Sequence, residues 1–348
     1  METTPLQAAK ILEKWRQHLL ALENVVGVGY THHASAEIGI LGGKPGIVVY
    51  VERLTKALEK ALPRVIDKVQ VIVKEVGEVK LFSTTVQPLT VTDPRRVQRI
   101  RPVVGGVSCG SPDITAGTLT CSVYDKRTGK LVWLTDNHVI AQDWFQARRA
   151  YVGKLVLQPG PYDGGRFPND IIGTLYRWKR VEAKGNFVDA AIAVPSSNDI
   201  VTREVMDIGE PGPLAVPEPG MRVKKSGRTT GLTVSEVEAV GATFMVKGWG
   251  KAEFIDQIVV KQPFGKPGDS GSYVCTDTEP PSTIGKMFAG SEKVALVNYA
   301  FHIERILGIS FTPVPPPPAY TRAPAFLLAS LPIIALTVKM LIWREKEI

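Results

Sequence analysis

Between about residues 100 and 310 the chain runs in short stretches of β-branched, aromatic and small apolar residues. Each is stopped after a few positions by glycine, proline, aspartate, asparagine or serine. Runs of that length with those stops read as strands joined by tight turns, and too little uninterrupted helical period remains for an α/β alternation. Residues 117–124 form one such run, residues 125–130 the turn after it, and residues 131–134 the return strand. Residues 221–226, the turn 227–231 and residues 232–234 repeat the pattern, and residues 254–260 add a further strand. A proline- and glycine-rich run over residues 209–220 separates two halves. The fold class expected is mainly β, in two parts, and 44% hydrophobic residues in 348 are enough to fill both cores.

Three local settings in this region carry chemistry. His138 ends the first hairpin in Leu134-Thr135-Asp136-Asn137-His138-Val139; Asp189 opens an apolar run, Val188-Asp189-Ala190-Ala191-Ile192; Ser270 lies in Gly268-Asp269-Ser270-Gly271-Ser272. A serine hydroxyl is a weak nucleophile until an imidazole takes its proton, and the imidazole needs a buried carboxylate to hold it. The five histidines are His18, His32, His33, His138 and His302. His18 falls in a helical pattern, His32 and His33 in a polar loop, and His302 near a final helix, so His138 is the candidate base. Asp170 and Asp199 are the substitutes for Asp189. The turn Gly227-Arg228-Thr229-Thr230-Gly231 lacks the Gly-Lys-Ser/Thr and the following helix of a phosphate loop.

Asn137-His138-Val139 followed by Gly268-Asp269-Ser270-Gly271-Ser272, with the order His, Asp, Ser, resembles the trypsin-like serine peptidases of the bacterial type over residues 100–310. The resemblance implies a chymotrypsin-like double β-barrel with its cleft between the halves. It implies Ser270 as nucleophile, His138 as base and Asp189 as its orienting carboxylate. The N–H groups of Gly268 and Ser270 would form the oxyanion hole, with Asp269 bracing their loop. It places the floor of the substrate pocket at Phe264 and its wall at Phe288, Ala289 and Gly290, which suggests a shallow apolar pocket for small or medium uncharged side chains. The implied activity is that of a serine endopeptidase on a protein or peptide, with no cofactor and no metal. Two other readings stay open: a catalytically weak peptide-binding scaffold, and a protein that processes itself once in cis.

Residues 1–95 read differently. Leu6, Ile11, Leu12, Trp15, Leu19 and Leu22 approximate one face of a helix. Strand-like residues 25–30 and 46–51, a helical pattern over 54–62 stopped by Pro63, and strand-like residues 69–73 follow. The order α-β-β-α-β predicts a small α/β accessory domain. An inhibitory segment released at the basic stretch 95–99 is the sharper expectation for it.

At the other end, a proline-rich linker over 311–322 leads to residues 323–343, apolar for roughly 21 positions and so about 31 Å long as a helix, near the thickness of a bilayer's hydrocarbon. A hydrophobic C-terminal helix inserted in a membrane is expected there. Without a basic-then-apolar leader near Met1, the catalytic part would face the cytoplasm. The +8 net charge is scattered rather than gathered into one face, which gives no support to nucleic-acid binding, and no feature sets an oligomeric state. Three cysteines are too few for a disulfide framework; Cys109 and Cys121 are the pair to consider, and Cys275 is expected to pack in a strand.

Overall fold

The computed structural model describes residues 5–31, 45–82, 90–113 and 117–315. Strands dominate it, and the β-rich region splits as the turn signals predict. In the first half, Leu155–Leu157, Ile171–Trp178, Ala191–Pro195, Leu131–Thr135, Cys121–Asp125 and Ile309–Ser310 lie side by side in that order. In the second, Arg222–Gly227, Tyr273–Thr276, Thr283–Gly290, Val294–Tyr299, Gly250–Lys261 and Gly231–Gly248 pair in sequence. The first of these also pairs with the last, so the six strands close into a ring. Closure leaves few free edges and encloses Val223, Val237, Ile258, Val260, Val274 and Val297 as a core.

Gly231–Gly248 is long enough for two tasks because it bends. Its register against Gly250–Lys261 shifts three times between Val237 and Phe244, the mark of bulges that turn a strand. The portion 231–236 pairs with Arg222–Gly227 and closes the ring. The portion 240–244 pairs instead with Val25–Thr31, through Gly27↔Phe244, Val28↔Thr243 and Tyr30↔Val240.

The amino-terminal residues thus continue the large sheet. Val25–Thr31, Gly46–Val51 and Val69–Glu75 follow one another in it, and the helices Pro5–Leu20 and Lys56–Ala61 complete the order read from the sequence. Gly46–Val51 shows why the sheet is two-faced. Ile47, Val49 and Val51 pack with Leu12, Leu19, Leu58 and Leu62 from the helices, while Val48 and Tyr50 pack with Phe244, Phe254 and Phe288 from the ring. Alternate residues of a strand point to opposite faces, so a continuous apolar run is what a strand buried on both sides requires.

Three expectations need revision or bounding. Cys109 and Cys121 do not pair: all three cysteines are free and buried, and burial pushes each thiol up to about 12. In the basic stretch 95–99, Arg95 and Arg99 are exposed, whereas Arg96 is not. Arg96 is fully buried, donating to Gly106 O and Ser226 Oγ at 2.7 Å each and pairing with Asp207. The apolar segment 323–343, with the linker from 316 onward, lies outside the described residues. Among the described residues no helix is long and apolar enough to cross a membrane.

Candidate active site

His138 and Asp189 are brought together by one antiparallel strand pair. Leu131–Thr135 lies against Ala191–Pro195 with Leu134↔Ile192 and Thr135↔Ala191 opposite. The three residues after Thr135 and the two before Ala191 therefore leave the sheet at the same edge. Past that edge the chain makes a single helical turn, Asn137–Ile140. Asn137 pins it, donating to Asp143 O at 3.0 Å and to Lys179 O at 2.5 Å while accepting from Asp143 N–H at 2.8 Å. His138 follows, fully buried, with Nδ1 2.9 Å from Asp189 Oδ2. Its own backbone N–H donates to Asp189 Oδ1 at 3.1 Å, so both carboxylate oxygens are aimed at one residue. The Asp189 backbone is held as well: its N–H donates to Asn298 Oδ1 at 3.0 Å, and its carbonyl accepts from Lys286 Nζ at 2.7 Å.

Ser270 arrives from the second half on a loop that Asp269 braces. The Asp269 carboxylate accepts from the N–H groups of Thr229, Thr230 and Lys266 at 2.8–3.1 Å and from Thr230 Oγ1 at 2.6 Å, with Lys225 Nζ 3.6 Å away. The turn 227–231 is therefore the footing of the serine loop. Arg228, paired with Asp163, ties that footing to the first half. Gly268 and Gly271 adopt φ of +93° and +97°, a region that a side chain resists. At Gly271 a Cβ would also sit 2.0 Å from Thr118 O. Thr118 N–H donates to Ser270 O at 2.8 Å, and Thr118 O accepts from Thr135 Oγ1 at 2.7 Å, three residues before His138.

The structure does not join Ser270 to His138 by a hydrogen bond. Ser270 Oγ donates to Phe288 O at 2.8 Å, and His138 Nε2 is buried without a hydrogen-bond partner among the described residues. The Gly268 N–H donates outward, to the carbonyl oxygen of Phe82 at 2.5 Å. Phe264 is buried in the apolar cluster that also holds Phe82 and Met287. Phe288 contributes its carbonyl to this side. Its ring faces away, packing on Phe254 at 4.7 Å. Ala289 and Gly290 continue the same edge.

Two charged residues beside His138 were not picked out from the sequence. Asp136, two residues before the histidine, places Oδ2 3.8 Å from His138 Nε2 and forms an ion pair with Lys286, all three side chains fully buried. Burial pulls the Lys286 ammonium well below its usual pKa. Asp136, His138 and Asp189 bring three potential ligand atoms within 4.8 Å of one another, and Lys286 Nζ lies against the Asp136 carboxylate there. The signal for Lys286 was a lysine within the otherwise apolar run Ile284-Gly285-Lys286-Met287-Phe288. Removing one partner of a buried pair leaves an uncompensated charge. Lys286→Met is therefore expected to lower stability by about 3–5 kcal/mol, and adding Asp136→Asn to restore most of it. Urea denaturation of the two variants measures both, and a single variant as stable as the parent contradicts the pairing.

No family model and no curated protein matches the chain. Solved structures similar to it include several bacterial serine proteases. The Nocardiopsis protease is 17% identical with a TM-score of 0.43, the match covering 60% of this chain and 97% of that one. The Cellulomonas bogoriensis chymotrypsin is 16% identical with a TM-score of 0.42, covering 61% and 99%. Thermobifida fusca protease A is 16% identical with a TM-score of 0.41, covering 60% and 97%.

Proposed function

We propose that the chain is a serine endopeptidase in which Ser270 attacks the scissile carbonyl, His138 takes and returns its proton, and Asp189 orients His138. The observation that carries this reading is the buried His138–Asp189 couple. With Nδ1 bonded to the carboxylate, Nε2 is left as the acceptor, and Nε2 is the atom without a partner. Turning Ser270 Oγ from Phe288 O toward Nε2 is the local change that activates the serine. Catalytic hydrogen bonds are often unformed until substrate is in place. As the tetrahedral intermediate forms, the Gly268 N–H, already donating to a carbonyl oxygen, would meet the negative charge. A donor of that kind is worth about 2.7–4 kcal/mol of barrier. The substrate class is protein or peptide. A membrane anchor at residues 323–343 and a cytoplasmic catalytic part remain part of the reading on the sequence alone.

Fluorophosphonate labelling tests the nucleophile. Mass analysis of the purified chain should find the adduct on Ser270, and Ser270→Ala and His138→Ala should each abolish it. A folded protein that does not label, either as the parent or with Phe82 replaced by glycine, would sink the reading.

A further inference from the structure

The carbonyl on Gly268 belongs to the chain's own amino-terminal part, and its neighbours lie in the same cleft. Lys80–Leu81 forms a short strand antiparallel to the edge of Thr283–Gly290, with Leu81 opposite Ala289 and Lys80 opposite Gly290. One residue on, Phe82 N–H donates to Phe288 O at 3.5 Å, and Phe82 O accepts from Gly268 N–H at 2.5 Å. Phe288 O is also the acceptor of the Ser270 hydroxyl, so Ser270 and the Phe82 main chain share one partner. 

The Phe82 ring is 4% exposed and lies in the apolar cluster with Phe264 and Met287. Gly290 makes room for it, since a Cβ there would stand 2.5 Å from Phe82 Cζ. Gly265 makes room instead for Met287, whose Cε would lie 2.5 Å from a Cβ on it. The seat is apolar, as Phe264 suggested, but it holds a whole phenyl ring rather than a small side chain.

A strand that pairs with the cleft edge, buries a side chain in its pocket and offers its carbonyl to the oxyanion donor is placed as the acyl side of a substrate. We infer that residues 80–82 are the enzyme's built-in substrate strand, that the pocket selects an aromatic residue before the scissile bond, and that the chain cuts itself once after Phe82. The inference rests on Ser270 being the nucleophile.

The steps balance as follows. Ser270 Oγ bonds to the Phe82 carbonyl carbon while its proton passes to His138 Nε2. The C–N bond to Ser83 breaks, and that proton leaves on the new Ser83 amine. Water then attacks the ester carbon, giving a proton to His138, which returns it to Ser270 Oγ as the ester opens. One water is consumed, and Phe82 ends as a carboxylic acid. The product stays in place, because residues 25–31 pair with the ring and Val48, Tyr50, Val79 and Leu81 are packed into its core. Cutting therefore leaves residues 1–82 bound as a tethering-free inhibitor.

Intact-mass analysis of the full-length protein during purification tests this. The parent should resolve into residues 1–82 and 83–348, co-eluting under native conditions and separating in denaturant. Ser270→Ala should stay intact. Phe82→Tyr, which keeps the ring, should be cut at the same bond, whereas Phe82→Gly should not. Phe82→Gly should also label with fluorophosphonate at least about tenfold faster, because the empty cleft is then the populated state. A parent that labels on Ser270 yet stays uncut, or is cut elsewhere, overturns the inference and spares the nucleophile. Ser270→Ala cut after Phe82 overturns it too. Absence of both cutting and labelling in every form overturns both.

Discussion

Replacing Asp189 with asparagine should lower kcat by about 10⁴-fold while leaving the fold intact, the loss typical when a catalytic histidine is given the wrong tautomer. The argument lies in the two bonds that Asp189 makes. Oδ1 accepts from the His138 backbone N–H at 3.1 Å, and an asparagine must keep its oxygen there or leave that buried donor unpaired. Its NH₂ group then replaces Oδ2 at 2.9 Å from Nδ1. A donor in that position makes Nδ1 the acceptor and puts the ring proton on Nε2, where it can no longer receive the proton of Ser270. The shape is unchanged, and Asn298 and Lys286 still hold the backbone of residue 189. Steady-state rates on a peptide ester, beside the thermal midpoint, measure both halves. A loss under tenfold in a protein of unchanged stability would mean that His138 does not act through Asp189.

Much of this site could be read before the structure because it is built from local signals. The hairpin 121–135 and the run from Asp189 are each short, and their strands pair so that His138 and Asp189 leave one sheet edge together. Gly268 and Gly271 were legible because a positive φ leaves glycine in the sequence itself. What escaped is long-range. Lys286 and Asp136 are 150 positions apart and carry no spacing, so nothing but the closed ring reveals that they meet. The same holds for Lys80–Leu81, two residues whose partners Lys247, Ala289 and Gly290 lie more than 160 positions away. The described amino-terminal elements up to Glu75 run α-β-β-α-β-β, the short strand Val65–Ile66 being added to the order read from the sequence, and their attachment to the ring had no local signal. Val48 and Tyr50 declare that a face is buried, but not that Phe244 and Phe288 bury it. The ring of Phe288, read from the sequence as a pocket wall, packs on Phe254, and only the folded chain shows Gly290 lying against the Phe82 ring.

That attachment sets the second large expectation. A chain beginning at Ser83 should fail to fold, appearing in the insoluble fraction or unfolding without a cooperative transition. Without residues 25–31 the portion 240–244 of the bent strand becomes an unpaired apolar edge, the kind that templates aggregation. Phe244 loses the Tyr50 ring that lies 4.9 Å from it, and the core loses Val26, Val48, Ile72, Val76, Val79 and Leu81. Each large apolar side chain taken from burial to water costs roughly 1.5–3 kcal/mol, so uncovering a few of those facing residues rivals the roughly 5–15 kcal/mol that stabilises a whole domain. Co-expressing residues 1–82 as a separate chain should restore solubility, since the contacts that matter are strand pairing and packing rather than the peptide bond after Phe82. Soluble yield and the unfolding transition of residues 83–348, alone and with residues 1–82, decide it. Cooperative unfolding of the shorter chain by itself would show that the ring folds without its amino-terminal strands. Rescue in trans would show that a chain cut after Phe82 has every reason to stay assembled.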